Sequence, residues 1–377
     1  MTAVDQTDPV PIWRTFLPPQ VRRQAHLEVA QILKTGRMVD GPLTERLEAA
    51  VSQAFARAAV AVASGMDALE LLLEAFDARG RDVLIPANCF PSIPALAQQL
   101  GAHPIPAPVD PGQLALAQDT AALEAAVRRP IIVWVHHAGL VAPYARATIT
   151  AFRSAGHTVI EDCAYLLPDD QPRDGPGTRG DAALISFAPT KPISGNGGGI
   201  ALLRDPHLAD LVRTRRSHSG QEVRWEGGDR IHRSRTITEI SAALAHGQWQ
   251  QRAKTRTALR HIADAYQGAF AGHACQALPE GRIPQDTWGR FPVDLGSPDA
   301  AWTMRDCMAK DGIATTVMFE RPWSDYPAFH TKPGVLDGLH DRLQRTVCIP
   351  YHPTLRLSDA QRVAAYVTDA FTPGGPR

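Results

Sequence analysis

The sequence predicts an α/β layer protein with a mostly parallel sheet, followed by a smaller C-terminal α+β unit. Three observations carry this. Short apolar and β-branched runs alternate with helix-period segments up to about residue 236, the pattern of parallel β-α-β units. Beyond that point the alternation gives way to one long helical stretch and then shorter mixed elements. The chain has 377 residues, enough for two domains, expected at 1–240 and 241–377.

Taken in order, Gln20–Thr35 carries apolar side chains at helical spacing, and Gly36–Gly41 interrupts it. Leu43–Phe55 reads as a second helix with Leu43, Leu47, Ala50 and Val51 on one stripe. Ala58–Ala63 is a strand, Asp67–Phe76 a helix, Val83–Ile85 a strand and Ile93–Leu100 a helix. Ile131–Val135, His157–Glu161, Ala182–Phe187 and Gly199–Leu203 read as four further strands. Thr238–Phe270 reads as one long or broken helix, with Ile240, Leu244, Trp249, Leu259, Ile262 and Tyr266 as candidate buried positions. Phe291–Asp294, Ile313–Val317 and Thr346–Ile349 are strand-like, and Met304–Asp311 and Ala360–Phe371 helix-like. In a parallel sheet, ligands bind outside the carboxyl ends of the strands.

Composition excludes several classes. Lys+Arg and Asp+Glu both number 39, so the zero net charge argues against bulk binding to nucleic acid or anionic lipid. The five cysteines are odd in number, scattered and without a CxxC pair, which fits a reducing compartment and no zinc knuckle. No basic n-region precedes an apolar core at the start, and no run is apolar enough to span a membrane. The expected location is cytoplasmic.

Four motifs carry chemistry. In Ser186-Phe-Ala-Pro-Thr-Lys191-Pro-Ile-Ser-Gly-Asn-Gly-Gly-Gly199, a lysine follows a strand and enters a glycine-rich turn. Partly desolvated, such a lysine is a nucleophile able to form a Schiff base; solvated, it is an ordinary loop residue. In Val159-Ile-Glu161-Asp162, a carboxylate ends a strand and can pair with a cationic ring nitrogen, or simply cap a helix. Ser64-Gly65-Met66-Asp67 opens a helix whose free N–H groups favour an anion, although an N-cap serine explains it equally well. Phe90 follows the strand Val83–Ile85 and can stack on a flat ligand or join the core. A Schiff-base lysine, a carboxylate, an anion cradle and a stacking face are together the requirements of pyridoxal 5'-phosphate (PLP).

The ordered set resembles the DegT/DnrJ/EryC1/StrS family of fold-type-I PLP-dependent sugar aminotransferases over nearly the whole chain. Ser64-Gly65-Met66-Asp67-Ala68-Leu69 is similar to that family's SGT-x-AL. Gly101-Ala102-His103-Pro104 matches its GA-x-P, and His136 and Gly139 fit its H-x-x-G. Ile160-Glu161-Asp162 and Gly180-Asp181…Ser186-Phe187…Lys191 fit its IED and GD…SF…K. The resemblance implies a large three-layer α/β/α domain. It implies that Lys191 binds PLP, Asp162 keeps the pyridine nitrogen protonated, and Phe90 stacks on the ring. Ser64, Gly65, Met66 and Ser186 then serve the phosphate. Tyr165 stands where the family usually has Gln or His near the ring hydroxyl, Met66 where it has Thr, and Ser234 where an asparagine reaches the partner subunit's phosphate. A homodimer with shared sites is implied.

Seven arginines lie between Arg213 and Arg235, a run that is ordinarily a solvated face. By the resemblance this segment lines the partner's site, which makes Arg230, Arg233 and Arg235 candidate substrate ligands, with His136 and Phe319. His136 and His137 lack a third ligand at fixed spacing, so no metal is expected. The expected activity is transfer of an amino group from an amino acid, glutamate first, to a keto sugar, nucleotide-linked, in antibiotic or surface-glycan biosynthesis. The alternatives are a non-sugar ketone of cyclitol or aminobenzoate type, another PLP reaction (dehydration, aldol cleavage or elimination), and a non-catalytic binding protein. Dehydratase relatives replace the lysine with histidine, and Lys191 is present here.

Overall fold

In the computed structural model, which describes residues 8–118, 130–168, 175–217, 233–271, 273, 276–277, 289–329 and 338–369, a seven-stranded sheet forms the larger layer. Its first strands are β1 (Ala58–Val62), β2 (Asp82–Pro86) and β3 (His103–Ala107). A small ribbon follows, β4 (Val109–Asp110) with β5 (Ala115–Leu116). The sheet is completed by β6 (Ile131–Val135), β7 (Thr158–Asp162), β8 (Ala182–Ser186) and β9 (Gly199–Leu203). The spatial order is β1-β9-β8-β7-β6-β2-β3. Strands β6, β8 and β9 are buried along their whole length, so they read as unbroken apolar runs rather than alternating ones.

One strand departs from the parallel expectation. β9 runs antiparallel to both neighbours, β8 and β1. The connection from β8 spans residues 187–198 and contains Pro189, Pro192 and three glycines, so it cannot form the crossover helix that a parallel return needs. β3, His-Pro-Ile-Pro-Ala, was not anticipated as a strand, because two prolines argue against the ladder. It occupies the sheet edge, where prolines are tolerated.

Helices cover both faces. α1 (Pro19–Thr35), α2 (Pro42–Phe55), α3 (Gly65–Ala75) and α4 (Ser92–Gln99) fall where their periodicity places them. The helices Ala145–Ser154 and Pro206–Arg216 add to those read from sequence. The long stretch after Thr238 is broken at Gln251 into Glu239–Gln250 and Arg252–Phe270. Ile240 and Leu244 are only half-buried, whereas Ala242, Ala243, Ala245, Gly247 and Trp249 form the buried face. Small residues let α1 come close: a Cβ on Gly247 would lie 3.1 Å from Val21 Cγ1.

The second sheet contains β10 (Gln276–Ala277), β11 (Phe291–Asp294), β12 (Thr316–Val317) and β13 (Thr346–Ile349), in the order β10-β11-β13-β12. Every pairing in it is antiparallel. The strand read as Ile313–Val317 is shorter, because Ile313 bridges Val10 instead. The chain's first described residues therefore pack on this C-terminal unit, with Val10 N–H donating to Gly312 O at 2.9 Å.

Candidate active site

The carboxyl end of β8 meets the opening turn of α3, and Asp162 ends the neighbouring strand β7. Lys191 sits in the β8–β9 connection. That loop is tied down by Gly195 and Gly197 N–H on Phe187 O (2.9 and 3.2 Å) and by Ser194 N–H on Gln248 Oε1 at 3.1 Å. Trp13 Nε1 donates to Pro189 O at 2.6 Å from the distant N-terminal segment. Lys191 Nζ stands 3.3 Å from the centroid of the Tyr165 ring. Burial pushes its pKa below the ordinary lysine value, and the Arg290 charge adds to that, against opposing pulls from Tyr165 and Asp162. A lysine so placed spends more time as the neutral nucleophile.

Asp162 is the last residue of β7 and is buried. Burial raises its pKa, while the Ala164 N–H (2.9 Å to Oδ1), Lys191 and His136 pull the other way. A cationic ring nitrogen against this carboxylate would supply the charge that burial leaves it short of.

The anion cradle is a matter of close approach. A Cβ on Gly65 would lie 2.9 Å from Ser186 Cβ and 3.1 Å from Ser186 Oγ. A Cβ on Gly199 would lie 2.6 Å from the carbonyl carbon of Ser64. Only glycine lets β8, β9 and the start of α3 meet this tightly. The Ser64 hydroxyl is itself the N-cap, accepting Asp67 N–H at 3.0 Å and donating to Asp67 Oδ2 at 2.6 Å. Gly65 and Met66 N–H groups belong to the first turn, outside the helical ladder. Ser186 Oγ has a long contact of 3.4 Å from Ala188 N–H. Phe90 is 54% exposed, so it is not the core residue its type suggests and its ring is open to a ligand. A glycine-lined helix start, a buried carboxylate, a buried lysine and an exposed ring together fit the chemistry of PLP.

Other candidates fall elsewhere. His136 is buried, and its Nε2 lies 3.1 Å from Glu161 Oε2, so it is turned to a partner within the fold rather than to a substrate. Glu161 also accepts N–H groups from Gly177, Arg179 and Gly180. Burial would raise that carboxyl, but His136 and these N–H groups outweigh it and hold it below its ordinary value. Atoms of His136, Glu161 and Cys163 cluster within 4.8 Å, yet both Glu161 oxygens are already taken by this network. Phe319 is half-buried, its ring 5.7 Å from that of His137.

The arginine run divides in two. Arg235 is 4% exposed and bonds Glu70 Oε1 at 2.7 Å and Glu74 Oε1 at 3.1 Å on α3. Its guanidinium is buried and ion-paired within its own chain, which turns it away from a substrate. Arg233 also binds Glu70, but from an exposed position. Ser234 is exposed between them. Arg230 lies outside the described residues.

Sequence reasoning missed Arg290. Gly289 and Arg290 N–H groups both donate to Ala138 O, at 2.5 and 3.1 Å, which brings the start of β11 against the site. Ala138 is left-handed at φ 56°, a conformation alanine rarely takes, and that turn is what presents its carbonyl. Nothing in the sequence marks Ala138 as left-handed.

Asp162 at the end of β7 and Lys191 beyond the end of β8, in a mostly parallel sheet, place this site where enzymes of the α/β class bind their ligands. The chain belongs to the DegT/DnrJ/EryC1/StrS aminotransferase family, whose pattern matches residues 19–368. It is 27% identical over 346 residues to a UDP-N-acetyl-3-dehydro-alpha-D-glucosamine 3-aminotransferase of Acidithiobacillus ferrooxidans, covering 90% of this chain and 91% of that one. Among solved structures it is similar in fold to Helicobacter pylori PseC, an aminotransferase involved in the biosynthesis of pseudoaminic acid. The TM-score is 0.84 at 18% identity, covering 97% of this chain and 99% of that one. It is likewise similar to DesV of S. venezuelae, with TM-score 0.82 at 22% identity, covering 97% and 100%.

Proposed function

We propose that this aminotransferase uses PLP to move an amino group from glutamate to the ketone of a nucleotide-linked sugar. The observation that carries the reading is the approach of Lys191 and Asp162 to one another at the sheet edge, in a chain of a PLP-dependent aminotransferase family. Lys191 would hold the cofactor covalently, Asp162 would face its ring nitrogen, and Phe90 would cover one face. The Ser186 hydroxyl and the N–H groups of Gly65 and Met66 would take the phosphate. When bound, PLP supplies an electron sink for the carbon that exchanges its amine. Lys191 Nζ, whose pKa burial lowers, would be the group that accepts and returns a proton there. The sugar acceptor is supported by the printed activity of the Acidithiobacillus relative.

A homodimer in the cytoplasm belongs to the same reading. Among the described residues no helix is long and apolar enough to cross a membrane. Borohydride reduction followed by peptide mapping tests the first claim: a pyridoxyl group should appear on Lys191. Glutamate should then bleach the visible absorbance, and a panel of nucleotide-linked keto sugars should restore it. If none of the panel restores it while another ketone does, the sugar assignment fails. Sedimentation as a monomer at micromolar concentration would remove the dimer.

A further inference from the structure

Arg290 immediately precedes β11 in the C-terminal unit, yet its guanidinium reaches the site built by the large sheet. Its Cζ lies 5.0 Å from the centroid of the Tyr165 ring, and Lys191 Nζ lies 3.3 Å from the same centroid. The two cationic groups are therefore at most about 8 Å apart. The Arg290 guanidinium lies over the Tyr165 ring with the Cys348 side chain nearby, and among the described residues no carboxylate pairs with it. Of the buried arginines, Arg216 holds Asp40 and Glu48, Arg235 holds Glu70 and Glu74, and Arg342 holds Asp294, while Arg57 donates to the carbonyls of Thr178 and Gly180. A partly buried cation without a counter-charge is costly unless a ligand supplies one.

Its position is set in advance. Two successive N–H groups, of Gly289 and Arg290, are held by Ala138 O. A Cβ on Gly289 would lie 2.6 Å from Tyr165 Cδ1 and 2.8 Å from Tyr165 O, so only glycine brings this strand so close. We propose that Arg290 is the anchor for the α-carboxylate of the amino donor, and thus the residue that restricts the donor to α-amino acids. This rests on the aminotransferase reading above.

Chemistry separates a carboxylate from the other anion in the reaction. The donor nitrogen has to arrive where Lys191 Nζ stands, because both condense with one carbonyl carbon. An α-amino acid carries its carboxylate on the carbon bonded to that nitrogen. A nucleotide-linked sugar carries its phosphates on the anomeric oxygen, so in a 3-keto sugar the phosphorus is four bonds from the ketone carbon. A cation this near Lys191 is matched to the first, and the planar guanidinium fork suits a carboxylate.

The test uses the PLP-loaded protein and glutarate, a dicarboxylate that has no amine and cannot react. Calorimetry should show glutarate binding to the wild type and binding weakened roughly 10- to 100-fold in Arg290→Gln, the range for a lost charged hydrogen bond. Arg290→Lys should fall between. In the wild type, γ-aminobutyrate, whose amine-bearing carbon has no carboxylate, should bleach the visible absorbance far more slowly than glutamate. Equal glutarate affinity in Arg290→Gln, no glutarate binding to the wild type, or equal rates with the two donors overturns the proposal. Borohydride labelling separates the failures. No pyridoxyl group on Lys191 in any of the three proteins removes the aminotransferase reading itself. Label lost only in Arg290→Gln assigns Arg290 to cofactor retention and overturns the carboxylate role.

Discussion

Lys191 and Asp162 meet the same physical difficulty with opposite charges. Burial disfavours the ionised form of each, lowering the lysine and raising the aspartate. For the lysine this is an advantage, since the neutral amine is the reactive form. For the aspartate it is a cost that a cationic ring nitrogen would offset on the proposed reading. Lys191→Ala should abolish the pyridoxyl label and reduce turnover by on the order of a thousandfold or more. Asp162→Asn should keep the label but lower turnover about 100-fold or more, because a neutral amide cannot hold the ring nitrogen protonated. Mass spectrometry reads the label and single-turnover absorbance reads the rate. A fully active Asp162→Asn protein would remove the ring-nitrogen role.

At the scale of elements, the site depends on close packing between the start of α3 and the strands beside it. Gly65→Ala places a methyl carbon 2.9 Å from Ser186 Cβ. It should cost about 1–3 kcal/mol of stability and also weaken PLP binding, read by thermal melting and by fluorescence titration. Ser186→Ala removes the hydroxyl without the clash, so affinity should fall with the melting point nearly unchanged. A second element-level device holds α2. The buried Glu239 carboxylate accepts N–H groups from Gly41, Leu43 and Thr44 at 3.1, 2.9 and 3.0 Å, and the Thr44 hydroxyl at 2.5 Å. It caps a helix almost two hundred residues away in sequence. Glu239→Ala strands these donors and should destabilise the fold by about 2–4 kcal/mol in urea unfolding. A loss under 0.5 kcal/mol would mean that water replaces the carboxylate.

At the scale of the whole molecule, the turn after β6 joins the two units. Ala138 O binds the start of β11, and the adjacent His137 meets Phe319 edge-on. Burial, with His136 nearby, pushes His137 down to about 3 from 6.5. Between those values the unfolded chain holds the extra proton, so stability is lost as pH falls below 6.5, by at most about 1.4 kcal/mol per unit. His137→Phe should flatten this acid limb, measured as the urea midpoint at pH 7 and near pH 4.5. His352, lowered to about 4 and also by burial, should keep the remaining slope. An unchanged slope in His137→Phe would show that His137 is not the group responsible.

Legibility followed the range of the interactions. Lys191, Asp162 and Phe90 stand out as candidates because each ends or follows an apolar run, and strand ends are marked locally. Arg235 looked like part of a solvated charge run, because Glu70 and Glu74 are more than 160 residues away along the chain. Ile240 and Leu244 were expected inside, but alanines face the neighbouring helices, and which helices those are is not written in a 3.6-residue period. Arg290 carried no local signal at all. Its role depends on a left-handed alanine in another unit.

The sequence by itself determined the run of strands and helices, the lysine and the aspartate at strand ends, and the family they belong to, since short-range periodicity and spacing encode these. Tertiary structure alone decided that β9 reverses direction, that Arg235 is a fastener within its own chain, and that Arg290 crosses to face Lys191. Charges and close contacts act through space, and residues that meet in space need not be near in sequence.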